Sequence, residues 1–328
     1  MSDIISQYKE VKPKFERLRK NIASVLEQII HEKKIPTFAI ESRLKDEESL
    51  SSKVMRKSYT SPLDEIDDLC GIRVICYYQE DISNICSIIE QEFEILQKEN
   101  KKDSLDDNQF GYSSYHYVVK LKENWLNHPN ARGLNNLRAE IQIRTMLMHT
   151  WSAISHKLLY KREADVPYQF KRQLNRLSAL IELADEQFDS IKNIKTQYIE
   201  ELSHSNTGTT DDTRLSSDSL IAIQQRYFNN RNYQDGEIPG LVDEIRFAGF
   251  NLKQFIVNLE RCLPILADME KEESVQAEME LPLWSFAGVI RTILDLTSDD
   301  YYSHRGAAYP EDESSIITNK YRKILRSM

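Results

Sequence analysis

Cysteine is scarce in this sequence and poorly spaced for metal or redox chemistry. The four present, Cys70, Cys76, Cys86 and Cys262, form no CxxC pair, so the short-spaced thiol signatures of zinc ribbons and dithiol oxidoreductases are missing. Cys70 and Cys76 fall in an apolar stretch that reads as buried, and the expectation is a reduced, cytoplasmic protein. Long apolar runs are missing too. No segment approaches the roughly 18 uninterrupted apolar residues of a membrane-spanning helix. The opening MSDIISQYKEVKPKFERLRK lacks the roughly 7–15-residue apolar run of a secretory leader. There is no GxxxxGK[ST] loop and no HExxH, so phosphates would be held by side chains rather than a backbone cradle, and a helical zinc site is not expected. The net charge of −9 disfavours a protein that coats nucleic acid, since such binding displaces counterions with many cations. A local basic site remains open.

What is present is ordinary for a globular chain: 328 residues, 40% hydrophobic and 29% charged, enough for one catalytic unit and a second, mostly helical part. Apolar residues at three- and four-residue steps from Ile5 to Ile30 predict a helix over 3–33, with Pro13 as a point of breakage or kinking. Thr37–Lys45 alternates, with Phe38, Ile40, Ser42 and Leu44 on one side and Ala39, Glu41, Arg43 and Lys45 on the other. Further strands are predicted over 71–78, 115–121 and 137–144. Short helices are predicted over 49–57 and 81–92, the latter capped by Asp81, with loops over 97–108 and 123–136 and helices over 145–160 and 168–202. The polar SHSNTGTTDDTR, 203–214, reads as a linker. Helical patterns follow around 215–230, 239–248, 252–270, 281–297 and 312–326. The expected organisation is therefore 1–202, a linker over 203–214, and a helical region over 215–328 that packs on the first unit, binds a partner or forms a homo-oligomer through its amphipathic faces.

The most informative stretch is 138–145. On a strand, Arg138, Glu140, Gln142 and Arg144 share one face and Leu137, Ala139, Ile141 and Ile143 the other. Alternation alone fits a half-exposed strand whose polar side meets water. A second acid, Asp68, precedes the strand that carries Arg73 in an apolar run, and a buried arginine there must reach a carboxylate, water or phosphate. Asp68 and Glu140 together would offer Mg²⁺ hard oxygen ligands; singly, either would be an ordinary salt-bridge partner. Arg43 and Lys45 share a strand face, and Ser49, Lys53 and Arg56 share a helix face, the arrangement of a polyphosphate site or of a solvated basic surface. In Gly111-Tyr-Ser-Ser-Tyr-His116, Tyr112 is placed to stack on a purine or to pack at a strand edge. His149 and His156 lie seven apart on one helix, the wrong spacing for a shared metal, and read as structural or substrate-adjacent.

Taken in order, SRLKDEESLSSKVMRK (42–57), DLCGIRV (68–74), GYSSYH (111–116), EIQIRT (140–145) and HKLLYK (156–161) resemble the synthetase domain of the RelA/SpoT family. The resemblance implies an α+β fold, a nucleotidyltransferase-like mixed sheet flanked by helices and followed here by a mostly helical C-terminal region. It implies synthesis of the alarmones pppGpp and ppGpp from ATP and GTP or GDP, with AMP released. No hydrolase motif is seen, so the chain is similar to the small alarmone synthetases. By the same resemblance Arg43, Lys45, Ser49, Lys53, Arg56 and Arg73 contact ATP, Asp68 and Glu140 hold Mg²⁺, Tyr112 stacks on guanine, and His116 and Gln142 place the acceptor. Glu140 is also the candidate acceptor of the 3′-hydroxyl proton.

The chain departs from the family in one place. Many alarmone synthetases carry Lys-x-Asn-Gly-Tyr where this sequence has Asn108-Gln-Phe-Gly-Tyr112, leaving Lys101 or Lys102 as alternative grips on the acceptor's phosphates. Three rival expectations follow: pyrophosphorylation of the 3′ end of tRNA, served by Lys157, Lys161, Arg162, Lys171, Arg172 and Arg176; (p)ppApp synthesis from an adenosine acceptor; and a non-catalytic nucleotide-binding regulator.

Overall fold

A five-stranded mixed sheet in the first half of the chain carries Arg43, Arg73, His116, Glu140 and Gln142, and the turns and helices beside it carry Lys45, Ser49, Lys53, Arg56 and Asp68. The computed structural model describes residues 2–100, 114–158, 167–204, 214–308 and 313–327, and its contacts divide into two compact units, Met1–Lys192 and Asn193–Met328.

The first unit runs α1 (Ser2–Glu32), β1 (Thr37–Leu44), α2 (Glu47–Arg56), α3 (Pro62–Glu65), β2 (Cys70–Cys76), α4 (Gln79–Glu92), β3 (Phe93–Asn100), β4 (Tyr115–Leu121), α5 (Glu123–Leu126), β5 (Ala139–Thr145), α6 (Met146–Leu158) and α7 (Tyr168–His204), within which the division falls. The strand order is β1-β2-β5-β4-β3. Only β2 and β5 run parallel; the other pairs are antiparallel. In β2 and β5, Ile72, Val74, Ile141 and Ile143 are buried, while Gly71, Arg73, Glu140 and Gln142 are half-buried on the opposite face. A sheet with one face packed and one face wet gives this period. The packed face is covered by Tyr8, Phe15, Leu18, Ile22, Leu26 and Ile30 of α1 and by Ile82, Ile85 and Ile89 of α4, in one core with the strands. Each such side chain contributes about 1.5–3 kcal/mol on leaving water.

Several local expectations are corrected. α1 runs through Pro13 without a break. Phe38 leaves the face of Ile40, Ser42 and Leu44, because a register shift between Thr37 and Ala39 turns it outward; it is 51% exposed and meets Tyr77 edge to face. Residues 97–100, expected in a loop, complete β3, an edge strand whose polar and charged end hides its pairing. The loop over 123–136 contains the helical turn α5.

Asp81 does not cap α4. The helix starts at Gln79, and its free N–H groups are met by Asp189 of α7, which accepts from Gln79 N at 3.0 Å and Glu80 N at 3.1 Å. Asp81 is buried within reach of Lys192, whose ammonium also pairs with Glu80 and lies 4.4 Å from the centre of the Tyr78 ring. One turn earlier on α7, Asp185 accepts from the Thr145 hydroxyl at 2.7 Å. So α7 fastens the end of β5 and the start of α4.

The second unit contains α8 (Ser217–Tyr227), α9 (Ile238–Phe247), α10 (Leu252–Gln276), α11 (Phe286–Thr297), α12 (Asp299–Ala308) and α13 (Glu313–Ser327) around a core that includes Leu241, Phe255, Leu259, Phe286, Ile290 and Leu294. α12 was not expected: its SHRGAA segment is small and polar. Most of the anticipated linker, 205–213, lies outside the described residues.

Burial pushes the Asp185 carboxyl up to about 6 from an ordinary 3.8, although Thr145 stabilises its charged form. Between those values the folded chain binds the proton that the unfolded chain has lost, so the wild type loses stability as pH rises through this window. Asp185→Asn does not titrate and can still accept from Thr145. Its stability relative to wild type should improve by roughly 2–3 kcal/mol between pH 4 and 7, read from apparent melting temperatures of the two proteins across that range.

Candidate active site

Strand register lines up the open face. Glu41 of β1 pairs with Arg73 of β2, Arg73 with Gln142 of β5, Gln142 with His116 of β4, and His116 with Glu99 of β3, a polar row across all five strands. One step along, Arg43, Gly71 and Glu140 form a second row. Gly71 lies between Arg43 and Glu140, and a Cβ there would make ordinary contact with the Arg43 side chain at 3.9 Å. A cavity of about 410 Å³ opens on these rows, lined by Glu41, Ser42, Arg43, Asp68, Gly71, Ile72, Arg73, Glu140 and Gln142.

Asp68 sits in the turn before β2 and is gripped by two ammonium groups. Lys45, just past β1, takes Oδ2, and Lys53 of α2 takes Oδ1 at 2.8 Å. Burial alone would raise this carboxyl, but the two lysines outweigh it and hold Asp68 below the usual carboxylate range.

Glu140 is the centre of a hydrogen-bonded chain. Burial again pushes upward, and hydrogen bonds and charge from His116, with Gln142, carry the net result downward, so the group is ionised. An ionised carboxylate only accepts, hence His116 presents a protonated Nδ1 to Oε1 at 2.8 Å, and Gln142 Nε2 donates to Oε2 at 3.0 Å. The chain extends both ways. His116 Nε2 meets the buried Ser114 hydroxyl at 2.6 Å, while Arg144 donates to Gln142 Oε1 at 2.8 Å and to Ser152 Oγ of α6 at 3.0 Å.

Of the three partners open to Arg73, the structure shows a carboxylate: it donates to Glu41 Oε2 at 3.0 Å, and its Nε is buried without a partner. His149 of α6 lies close enough to feel Glu41, Arg73 and Arg144. Its pKa is lowered, by burial first and by the two arginines against Glu41, and its Nδ1 is a second buried atom without a partner.

Of the expected site residues, Arg43, Asp68, Arg73, Glu140 and Gln142 line the cavity, Lys45 and Lys53 are bound to its acid, and His116 is bound to Glu140. Ser49 and Arg56 are not drawn in. Ser49 is held by Asp46, the N-cap of α2, through both its N–H and its hydroxyl; exposed Arg56 returns to the Ser52 carbonyl. Arg138 leaves the row of Glu140 and Gln142 for Asp67. Tyr112, Lys101, Lys102, Lys161 and Arg162 lie outside the described residues, as does the His156 side chain. Glu41 and Ser114 were missed, although Glu41 stands two residues from Arg43 on the same face of β1 and Ser114 stands two residues before His116.

Two carboxylates held ionised at the rim of one cavity suit a hard divalent cation. No group of three metal-ligating His, Cys, Asp or Glu side chains exists among the described residues, so such an ion would draw further ligands from substrate or water. None of the described helices is long and apolar enough to cross a membrane.

Residues 42–165 match the model of a region found in RelA / SpoT proteins. The chain is 32% identical over 161 residues to the GTP pyrophosphokinase YwaC of Bacillus subtilis (strain 168), an alignment covering 48% of this chain and 74% of that protein. It is 29% identical over 160 residues to the GTP pyrophosphokinase YjbM of the same organism, covering 48% and 72%. Among solved structures, a GTP pyrophosphokinase family protein from Streptococcus pneumoniae matches with a TM-score of 0.50 at 25% identity, over 58% of this chain and 96% of that one.

Gln142→Leu removes a donor to Glu140 and an acceptor for Arg144 together. Leaving buried polar groups unmet costs about 1–3 kcal/mol, so the free energy of local opening of β5, followed by amide hydrogen exchange over 139–145, should fall by that amount.

Proposed function

The chain belongs to the RelA/SpoT family, and from that premise we propose that it transfers the β,γ-pyrophosphoryl group of ATP to the ribose 3′-oxygen of GDP or GTP and releases AMP. The observation that carries this reading is the pair Asp68 and Glu140, ionised at one cavity whose remaining lining includes Arg43, Arg73 and Gln142. Displacement at phosphorus demands alignment and charge neutralisation more than covalent help from the protein.

In this reading the 3′-oxygen attacks the β-phosphorus, the bond from that phosphorus to the α,β-bridging oxygen breaks, and AMP departs with the bridging oxygen. Glu140 accepts the hydroxyl proton, its carboxylate oriented by His116 and Gln142. Arg43, Lys45, Lys53 and Arg73 neutralise the polyphosphate. Asp68 and Glu140 would hold Mg²⁺, which when bound spreads the developing charge of the phosphates. Ser49 and Arg56 stand at the outer edge of the ATP side in this scheme, and Tyr112 supplies the guanine platform by resemblance alone. The names of the relatives support a guanosine acceptor. Four free, buried cysteines support a cytoplasmic setting.

Purified protein incubated with γ-labelled ATP, Mg²⁺ and, separately, GDP, GTP, ADP, ATP or bulk tRNA should move label to GDP or GTP. Asp68→Asn and Glu140→Gln should each lower kcat by about 100-fold or more. Label on tRNA or on an adenosine nucleotide alone would overturn the acceptor, and no transfer to any of them would overturn the reaction.

A further inference from the structure

Asp68 presents an unusual arrangement for a metal ligand, because both of its oxygens are already occupied by cations of the same chain. Lys45 is 11% exposed, Lys53 27% and Asp68 26%, so these pairs are partly withdrawn from water, where opposite charges interact several-fold more strongly than at an open surface. The lysines come from separate elements, one just past β1 and one from the last turn of α2, and they take different oxygens. A divalent cation approaching the cavity meets two ammonium groups in the place where it would bind. A polyphosphate approaching the same cavity meets two ammonium groups that gain by turning toward it.

We infer that Lys45 and Lys53 form an internal clamp that closes Asp68 to divalent metal in the nucleotide-free protein, and that the polyphosphate opens it by drawing the lysines away. The inference rests on the reading of Asp68 as a metal ligand given above. Metal and nucleotide binding are then positively coupled through an exchange of partners: lysine–carboxylate pairs give way to lysine–phosphate and carboxylate–metal contacts, so that Lys45, Lys53 and Asp68 each keep an opposite charge as partner. The flexible four-carbon stem of lysine suits such an exchange better than a rigid guanidinium fork, and the coupling is reciprocal.

Mn²⁺ titrated into the full-length protein without nucleotide, with free ion followed by electron paramagnetic resonance, separates this clamp from a general electrostatic field. Lys53→Met should raise nucleotide-free Mn²⁺ affinity by at least about tenfold over wild type, and Lys53→Gln should do the same. Arg43→Met removes a positive charge from the same cavity without touching Asp68, and should change affinity by no more than about threefold. Adding Asp68→Asn to Lys53→Met should abolish the gain. Variants are compared only where circular dichroism and melting temperature match the wild type. The clamp is overturned if neither Lys53 variant gains affinity, if Arg43→Met gains as much, or if the gain survives Asp68→Asn. Because no step uses turnover, a protein that shows the gain yet transfers no pyrophosphate would keep the clamp and lose the proposed reaction.

Discussion

Parallel pairing of β2 with β5 sets Gly71 beside Glu140 and Arg73 beside Gln142, and the rest of the site hangs on that register. A slip of one residue would carry Ile72 and Ile141 out of the core and drive Arg73 or Glu140 into it. The isoleucine and valine face therefore does two things with one set of contacts: it secures the core beneath α1 and α4, and it fixes which polar side chains can meet on the other side. Antiparallel β1 and β4 extend the same register outward, adding Arg43 on one flank and His116 on the other.

The chain as a whole is acidic, at −9, yet the open face is built from alternating charges that satisfy one another. Arg73 answers Glu41, two lysines answer Asp68, and His116, Gln142 and Arg144 form a relay around Glu140. Half-buried ions need partners or they neutralise. The pairing keeps both acids charged, and around Glu140 it holds the carboxylate in one orientation through His116 and Gln142.

Much of this was legible in the sequence where a physical period repeats. The β-branched and aromatic run after Gly71 located β2, and alternation located β5, each to within two residues, and β4 was placed to the residue. Alternation also placed Glu140, Gln142 and Arg144 on one side. What local patterns could not supply were relationships over distance. Asp81 looked like a cap because it precedes an apolar run, but the groups that meet the helix start come from Asp189. Phe38 followed the alternation until a bulge reversed it, and β3 hid behind the charged side chains of an edge strand. Donor and acceptor identity came from family resemblance alone.

The dependence of β5 and α4 on α7 also has a direction in time. Gln79 and the Asp189 carboxylate that accepts from it are 110 residues apart, so a chain leaving the ribosome exposes the helix start, and later Thr145, well before their partners have been synthesised. Until then the α4 N–H groups turn to water and the end of β5 lacks its anchor. Completion of the sheet's packed side is thus tied to synthesis of nearly the whole first unit, and a nascent fragment ending short of α7 would hold the catalytic strands without the contacts that finish them.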